Sequence, residues 1–154
     1  MKLSSDLCKQ LFSRDQIVKY AVGAAYTSEV LTQAAGRWDG DYKAEVYKNT
    51  EKILVMVGLI LGVPEVVTAE SVSEDDMPKS DKEMGEFMRV TAAVLRTFGE
   101  HLEDIMREDL TDDQVETILE RFSIEEIAAI IEPIAGMIDN GAEVHETGNF
   151  HNQD

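Results

Sequence analysis

The chain contains few cysteine, proline and aromatic residues. Cys8 is its single cysteine, which excludes an intramolecular disulfide and a zinc site built from several cysteines of one chain. Only three prolines and 6% aromatic residues occur among 154 residues, and alternating runs of β-branched residues are scarce. These features disfavour a β-sandwich or barrel. The composition therefore predicts an all-α fold, a compact bundle of about four to six helices.

Basic residues are also scarce. The sequence has 14 Lys and Arg against 31 Asp and Glu, a formal net charge of −17. Residues 1–60 hold eight bases and seven acids, which leaves six bases and 24 acids for an acidic C-terminal half. Nucleic acids and anionic membranes are bound through positive charge. We therefore expect no direct binding to nucleic acid or membrane, and a protein partner with a basic surface instead.

Long apolar runs are absent as well. The most apolar stretch, ILVMVGLILG at residues 53–62, is ten residues long, whereas a membrane-spanning helix needs about 20. It is more typical of a buried core helix. The first residues lack the uninterrupted apolar region of a secretion signal, and one cysteine suits a reducing compartment. We expect a cytoplasmic location.

Four capping boxes indicate where helices begin. In each, a Ser or Thr is followed three positions later by Glu or Gln, and the pairs are Ser13 with Gln16, Ser80 with Glu83, Thr111 with Gln114, and Ser123 with Glu126. The patterns predict helices over about 5–12, 13–35, 41–61, 80–109 and 111–120, and a last helix from 123 that ends at Asn140-Gly141. Residues 63–79 are predicted to be an exposed connection. We predict one helical domain at residues 1–141 and a flexible polar tail at 142–154.

The helix predicted over 13–35 is rich in small residues. Ala21, Ala24 or Ala25, Ser28 and Ala35 lie near one face. Small side chains let a second helix approach closely, so we interpret this face as a packing surface. A ligand-binding groove is the alternative.

The helix predicted over 80–109 carries many carboxylates. At about 100° per residue its apolar side chains share one arc, namely Met84, Phe87, Met88, Val90, Val94, Leu95, Phe98, Leu102, Ile105 and Met106. Its acids mostly fall outside that arc. The spacing predicts ion pairs four residues apart, among them Arg96 with Glu100 and Glu103 with Arg107. The acidic residues are therefore expected to face water.

An enzymatic alternative comes from the same helix. EMGE (Glu83, Glu86) followed by EHLE (Glu100, Glu103) resembles the E-x-x-E and E-x-x-D pair of the all-α nucleotide pyrophosphohydrolases. That resemblance implies a magnesium-dependent hydrolase of nucleoside triphosphates. However, Lys82 and Glu103 stand where the family has Glu and Asp, and a continuous helix would separate Glu86 from Glu100 by about 21 Å.

The sequence shows no other motif that would form a catalytic or metal-binding site. The E-x-x-H pair of helical metal sites is absent from this helix. His145, Glu146, His151 and Asp154 are metal-ligand types, but they fall in the predicted tail. We assign no catalytic residue, metal site or cofactor.

Protein–protein interaction is the function that these features favour. We expect an assembly, adaptor or chaperone-like role, of the kind common among phage-encoded accessory proteins, and a homo-oligomer is compatible with it. An inhibitor that mimics nucleic acid is the alternative. The partner-binding residues that we predict are Glu100, Glu103, Asp104, Glu108, Asp112, Asp113, Glu116 and Glu120.

Overall fold

Helices make up almost all of the regular structure in the computed structural model, which describes residues 6–35, 41–62, 74–120 and 122–147. Its α-helices are α1 (Asp6–Leu11), α2 (Arg14–Ala35), α3 (Asp41–Leu61), α4 (Asp81–Glu100), α5 (Leu102–Asp104), α6 (Asp112–Leu119) and α7 (Ile124–Thr147). A 3-10 helix at Glu74–Asp76 precedes α4, and a π-helical turn at Ile105–Asp109 follows α5. No strand occurs within the described ranges. The all-α prediction is confirmed.

The predicted helix starts are confirmed by their hydrogen bonds. Ser13 Oγ accepts from the Gln16 N–H at 3.1 Å, and the Gln16 side chain accepts in return from the Ser13 N–H at 2.9 Å. Thr111 and Gln114 form the same reciprocal pair. The hydroxyl groups of Ser80 and Ser123 also accept from the backbone N–H three residues ahead, at 3.1 Å in both helices. Each bond satisfies a donor that the first helical turn leaves without an intrahelical partner.

The apolar run at residues 53–62 lies in α3 and supplies part of the core. Ile53, Leu54, Val57 and Ile60 are each at most 1% exposed, as expected for a core helix. The helix ends at Leu61, and Gly62 adopts a φ of 87°, a left-handed conformation that favours glycine. No described helix combines the length and apolar character needed to cross a membrane. Most of the predicted 63–79 connection, residues 63–73, lies outside the described ranges.

The helix predicted over 80–109 is interrupted at His101, so the prediction of one continuous helix is wrong. The N–H of His101 is shared between the carbonyl oxygens of Thr97 and Phe98, both at 3.2 Å, and its φ and ψ are −107° and 13°. This tightened turn ends α4, and the chain continues through α5 and the π-helical turn. The predicted apolar arc still faces the core, since Leu102, Ile105 and Met106 are all buried.

α7 continues beyond its predicted end at Asn140-Gly141 and runs to Thr147. Packing overrides the local stop signal, because Gly141 faces Met88 on α4 and a Cβ there would lie 2.8 Å from the Met88 methyl carbon. The next residue, Ala142, is fully buried. Residues 142–147 are therefore helical and not part of a polar tail, while residues 148–154 lie outside the described ranges.

α4 is the central helix of the bundle and packs against both α2 and α7, while α3 packs against α2. Its buried residues include Phe98 and Leu95, which belong to one apolar cluster with Ile53 of α3 and with Ile127 and Ile138 of α7. Between α2 and α3, the buried Tyr20 hydroxyl donates to the Leu54 carbonyl oxygen at 2.7 Å. Burial raises the pKa of Tyr20, so this phenol stays protonated as a donor.

Two glycines allow α4 to lie close to its neighbours. A Cβ on Gly23 of α2 would overlap the hydroxyl group of Thr91, a fully buried α4 residue that donates to the Phe87 carbonyl oxygen at 2.9 Å. On the other side, a Cβ on Gly85 would lie 2.8 Å from the carbonyl oxygen of Ala142 in α7. Gly23 lies on another side of α2 from the small-residue face described from the sequence, of which Ala21 and Ala24 are also buried, at 4% and 7% exposure. The interpretation of that face as a packing surface stays a prediction.

We expect Gly85→Ala to lower the free energy of unfolding by about 1–3 kcal/mol, because the added methyl group meets α7 backbone that cannot move aside cheaply. Gly136→Ala is the matched control. Gly136 also lies inside a helix, but a Cβ there meets no atom within 4 Å, so the same change should raise stability by about 0.5–1 kcal/mol. Urea unfolding of both variants checks this. Equal effects of the two changes would contradict the close approach of α4 and α7.

Candidate protein interface

The eight predicted partner-binding residues lie on one continuous stretch of chain, residues 100–120, which we call the acidic segment. It comprises the last residue of α4, α5, the π-helical turn, α6 and the residue after α6. Seven of the eight residues are exposed and Asp104 is half-buried, namely Glu100, Glu103, Asp104, Glu108, Asp112, Asp113, Glu116 and Glu120. The structure thus places the predicted carboxylates at the surface of the bundle.

The acidic segment has almost no internal counter-charge. It contains nine Asp and Glu residues, and Arg107 is its single Lys or Arg. Arg107 Nη2 pairs with Asp104 Oδ1 at 2.8 Å and not with Glu103, the partner that the spacing predicted. This exposed pair neutralises one carboxylate, and such pairs contribute little to stability. A strong excess of negative charge is left at this surface.

The two arginines of α4, Arg89 and Arg96, form an ion-pair network with carboxylates of α7. Arg89 pairs with Glu146 through Nε at 2.6 Å and with Asp139 through Nη1 at 3.5 Å. Arg96 pairs with Glu132 through Nε at 3.1 Å and with the same Asp139 through Nη1. Asp139 therefore links both arginines. Because the lower-numbered arginine reaches the higher-numbered acid, the two helices run antiparallel.

The network corrects the predicted pair of Arg96 with Glu100. Two carboxylates of α7 converge on the Arg96 guanidinium, and their hydrogen bonds, first that of Glu132 and then that of Asp139, raise its pKa. Two partners with charge-assisted hydrogen bonds bind a guanidinium better than one flexible neighbour on the same helix. Arg96 therefore does not offset the charge of Glu100, which is exposed at the start of the acidic segment.

A sequence signal for this network existed. Arg89 and Arg96 are seven residues apart, and Glu132, Asp139 and Glu146 repeat at the same interval. Seven residues are almost two turns of helix, so each set lies along one face. This signal is informative only when α4 and α7 are known to be neighbours. Spacing within one helix does not show which helices are neighbours.

A second polar cluster joins three helices and was not anticipated from the sequence. His145 of α7 lies with Nε2 2.9 Å from the Tyr26 hydroxyl oxygen of α2 and with Nδ1 3.6 Å from Asp81 Oδ1 at the start of α4. The Tyr26 and His145 rings also meet edge to face, with their centroids 5.2 Å apart. The side chain of His145 is only 10% exposed. This histidine is thus a packed residue between helices, not a member of a flexible tail.

The order of groups in this cluster, carboxylate, imidazole and hydroxyl, is also that of a nucleophile activated by a base. Here the pKa of Tyr26 is raised, mainly by burial and further by the carboxylates of Asp81 and Glu29. A raised pKa keeps the phenol protonated at neutral pH, which suits a hydrogen-bond donor and opposes its use as a nucleophile. The arrangement holds the C-terminal turn of α7 against α2 and α4.

The described ranges contain no cluster of side chains that could bind a metal ion for catalysis. Among those residues no three His, Cys, Asp or Glu side chains are grouped closely enough to hold a metal ion. Glu86 and Glu100, from the pyrophosphohydrolase-like motif, both belong to the unbroken helix α4 and are about 21 Å apart along it. They cannot share one metal ion. His151 and Asp154 lie outside the described ranges.

Comparisons of the chain with protein-family models, curated proteins and solved structures found no match. Any functional assignment therefore depends on the geometry and charge of the chain's own residues.

We expect Asp139→Asn to lower the free energy of unfolding by about 1–2 kcal/mol, because two arginines lose a shared charge that is only 25% exposed. Glu143→Gln, an exposed change on the same helix, should alter it by less than about 0.5 kcal/mol. Urea unfolding at low and high salt measures both. The loss in Asp139→Asn should shrink as salt rises, and a loss no larger than that of the control would contradict the network.

For the three-helix cluster, we expect Tyr26→Phe to cost about 1 kcal/mol, since His145 then loses its hydroxyl partner. A double-mutant cycle with His145→Gln separates this bond from other effects of each change. Hydrogen exchange should also show faster exchange of the last turn of α7. Additive energies with unchanged exchange would show that the two side chains do not interact.

Proposed function

We propose that this chain acts without catalysis, by binding a protein with a basic surface through the acidic segment. One observation carries the proposal: the segment exposes a dense run of carboxylates with Arg107 as its only arginine, while Arg89 and Arg96 of α4 pair with carboxylates of α7. Charge of one sign, presented on a packed scaffold, speeds encounter with an oppositely charged partner and favours the correct one.

The placement of the carboxylates also supports a rigid binding surface. Residues 100–120 begin on the central helix α4, and Leu102, Ile105 and Met106 are buried between the exposed acids. These apolar residues hold the backbone of the first part of the segment, where Glu100, Glu103 and Glu108 are exposed. A surface fixed in this way loses less conformational entropy on binding than a flexible acidic tail does.

An assembly, adaptor or chaperone-like role in the cytoplasm is our proposal for the biological setting, and an accessory role in a phage is compatible with it. The single cysteine and the excess of negative charge support an intracellular interaction protein. Mimicry of nucleic acid is the specific alternative within the same mechanism. It differs only in the partner, whose basic surface would then be the one that binds phosphates.

The test compares two variants of equal charge. The first neutralises the segment by Glu100→Gln, Glu103→Gln, Glu108→Gln and Glu116→Gln, and the control makes Glu29→Gln, Glu74→Gln, Glu86→Gln and Glu143→Gln at exposed positions elsewhere. Each is used to capture partners from an extract of cells that naturally contain the protein, and the affinity of the captured partner is then measured. We expect the segment variant to bind roughly tenfold or more weakly, and the control to bind almost normally.

Equal weakening of both variants would show that only the net charge matters and would contradict a site at residues 100–120. Competition identifies the kind of partner. A partner that duplex DNA or RNA displaces from the chain supports mimicry, whereas a partner that nucleic acid does not displace supports assembly.

A further inference from the structure

α6 is an eight-residue helix that differs from the long helices of the described ranges because none of its residues is buried. The helices α2, α3, α4 and α7 each contribute several residues that are less than 9% exposed. α6 nevertheless begins with a complete capping box between Thr111 and Gln114, so its start is well defined. A short helix that is locally stabilised but shallowly seated leaves part of its surface available.

The apolar face of α6 is only partly covered. Val115, Ile118 and Leu119 follow the spacing i, i+3 and i+4, which places them on one side of the helix, and Phe122 comes three residues after the last residue of α6. Val115, Ile118 and Phe122 pack against the core but remain partly exposed, and Leu119 is 38% exposed. The core of the bundle therefore covers one edge of this face and leaves the other open.

Carboxylates surround the open edge. Asp112, Asp113, Glu116 and Glu120 are all exposed, and no Lys or Arg occurs between residues 108 and 120. An apolar strip with an acidic rim complements a segment with the reverse pattern, an apolar face flanked by Lys and Arg. A second copy of this chain would bring the same carboxylates together, and a purely basic segment would leave Leu119 uncovered.

We propose that α6 is the docking site for a basic amphipathic helix of the partner, whose apolar face covers Leu119 and whose Lys and Arg residues pair with the acidic rim. This inference rests on the proposed function, because it describes the kind of partner that the acidic segment binds. The inference adds an apolar contact at Leu119 to the electrostatic contact with the carboxylates of the acidic segment. Binding should therefore weaken with salt but not vanish, since salt screens only the charged part.

The probes are two synthetic peptides of equal length and charge. One is an amphipathic helix of Leu and Lys, and the other has Ser in place of every Leu. Isothermal titration of the full chain with each peptide, at physiological and at high salt, separates the apolar and charged contributions. We expect the Leu–Lys peptide to bind at least tenfold more tightly than its Ser counterpart and to keep measurable affinity at high salt.

Two exposed apolar residues provide a matched pair of variants. Leu119→Ser should weaken the Leu–Lys peptide roughly fivefold or more, while Val55→Ser on α3, where the side chain is 41% exposed, should not. Neither change alters a buried residue, and circular dichroism checks that both variants fold. A nitroxide on the Leu–Lys peptide supplies a test on the unaltered chain, because it should broaden the amide signals of α6 before those of α3.

Equal binding of the two peptides, equal effects of the two variants, or broadening centred away from α6 would each overturn the proposal. Such results would not change the expected affinities of the captured partner, which are compared between the segment variant and the control variant of equal charge. Failure of this inference is therefore distinguishable from failure of the proposed function, which would appear as equal weakening by the segment and control variants.

Discussion

The contact between α4 and α7 is the constraint on which the rest of the structure depends. It has a steric part, in which Gly85 lets the α7 backbone approach, and an electrostatic part, in which Asp139 links Arg89 and Arg96. With α4 fixed on one side by α7, its opposite side accepts α2 at Gly23 and Thr91. The position of the acidic segment follows, because its first residue is the last residue of α4.

The same contact explains how a chain with so few bases can fold and still present a negatively charged surface. Two of its 14 basic residues, Arg89 and Arg96, offset three acids of α7 that would otherwise repel one another along the interface. Twelve Lys and Arg residues remain in the rest of the chain, and Arg107 is the one that lies in the acidic segment. Pairing at the α4–α7 contact thus reduces self-repulsion where the helices must approach, and it leaves the carboxylates of residues 100–120 with little counter-charge.

Local chemistry in the sequence predicted the parts of the fold that depend on neighbours within a few residues. The four capping boxes and the apolar arc of α4 are of this kind, because a cap needs only three residues and an arc only a helical period. The extension of α7 to Thr147 follows from its contact with α4 and was missed, as was the break at His101. Gly141 illustrates the difference, since it resembles a stop signal until it is seen to face Met88 of α4 inside a continuing helix.

The candidate interface also has some features that local spacing predicted and others that it did not. Exposure of Glu100, Glu103 and Glu116 followed from their side of the helix, but the partners of Arg96 and Arg107 did not, because several carboxylates compete for each guanidinium. The cluster of Tyr26, His145 and Asp81 joins residues up to 119 positions apart in the chain. No spacing rule within one helix connects residues so distant.

His145 has a further consequence for the alignment of α7. Along this helix the core positions recur as a heptad, with Ile138 one repeat and Ile131 two repeats before His145. The ion pairs share that period, so a slide of α7 by one heptad would re-form much of the apolar and charged contact. It would also place Ile138 against the hydroxyl of Tyr26 and the carboxylate of Asp81. One polar residue in an apolar repeat thereby excludes the shifted register, as a single buried asparagine does in a coiled coil.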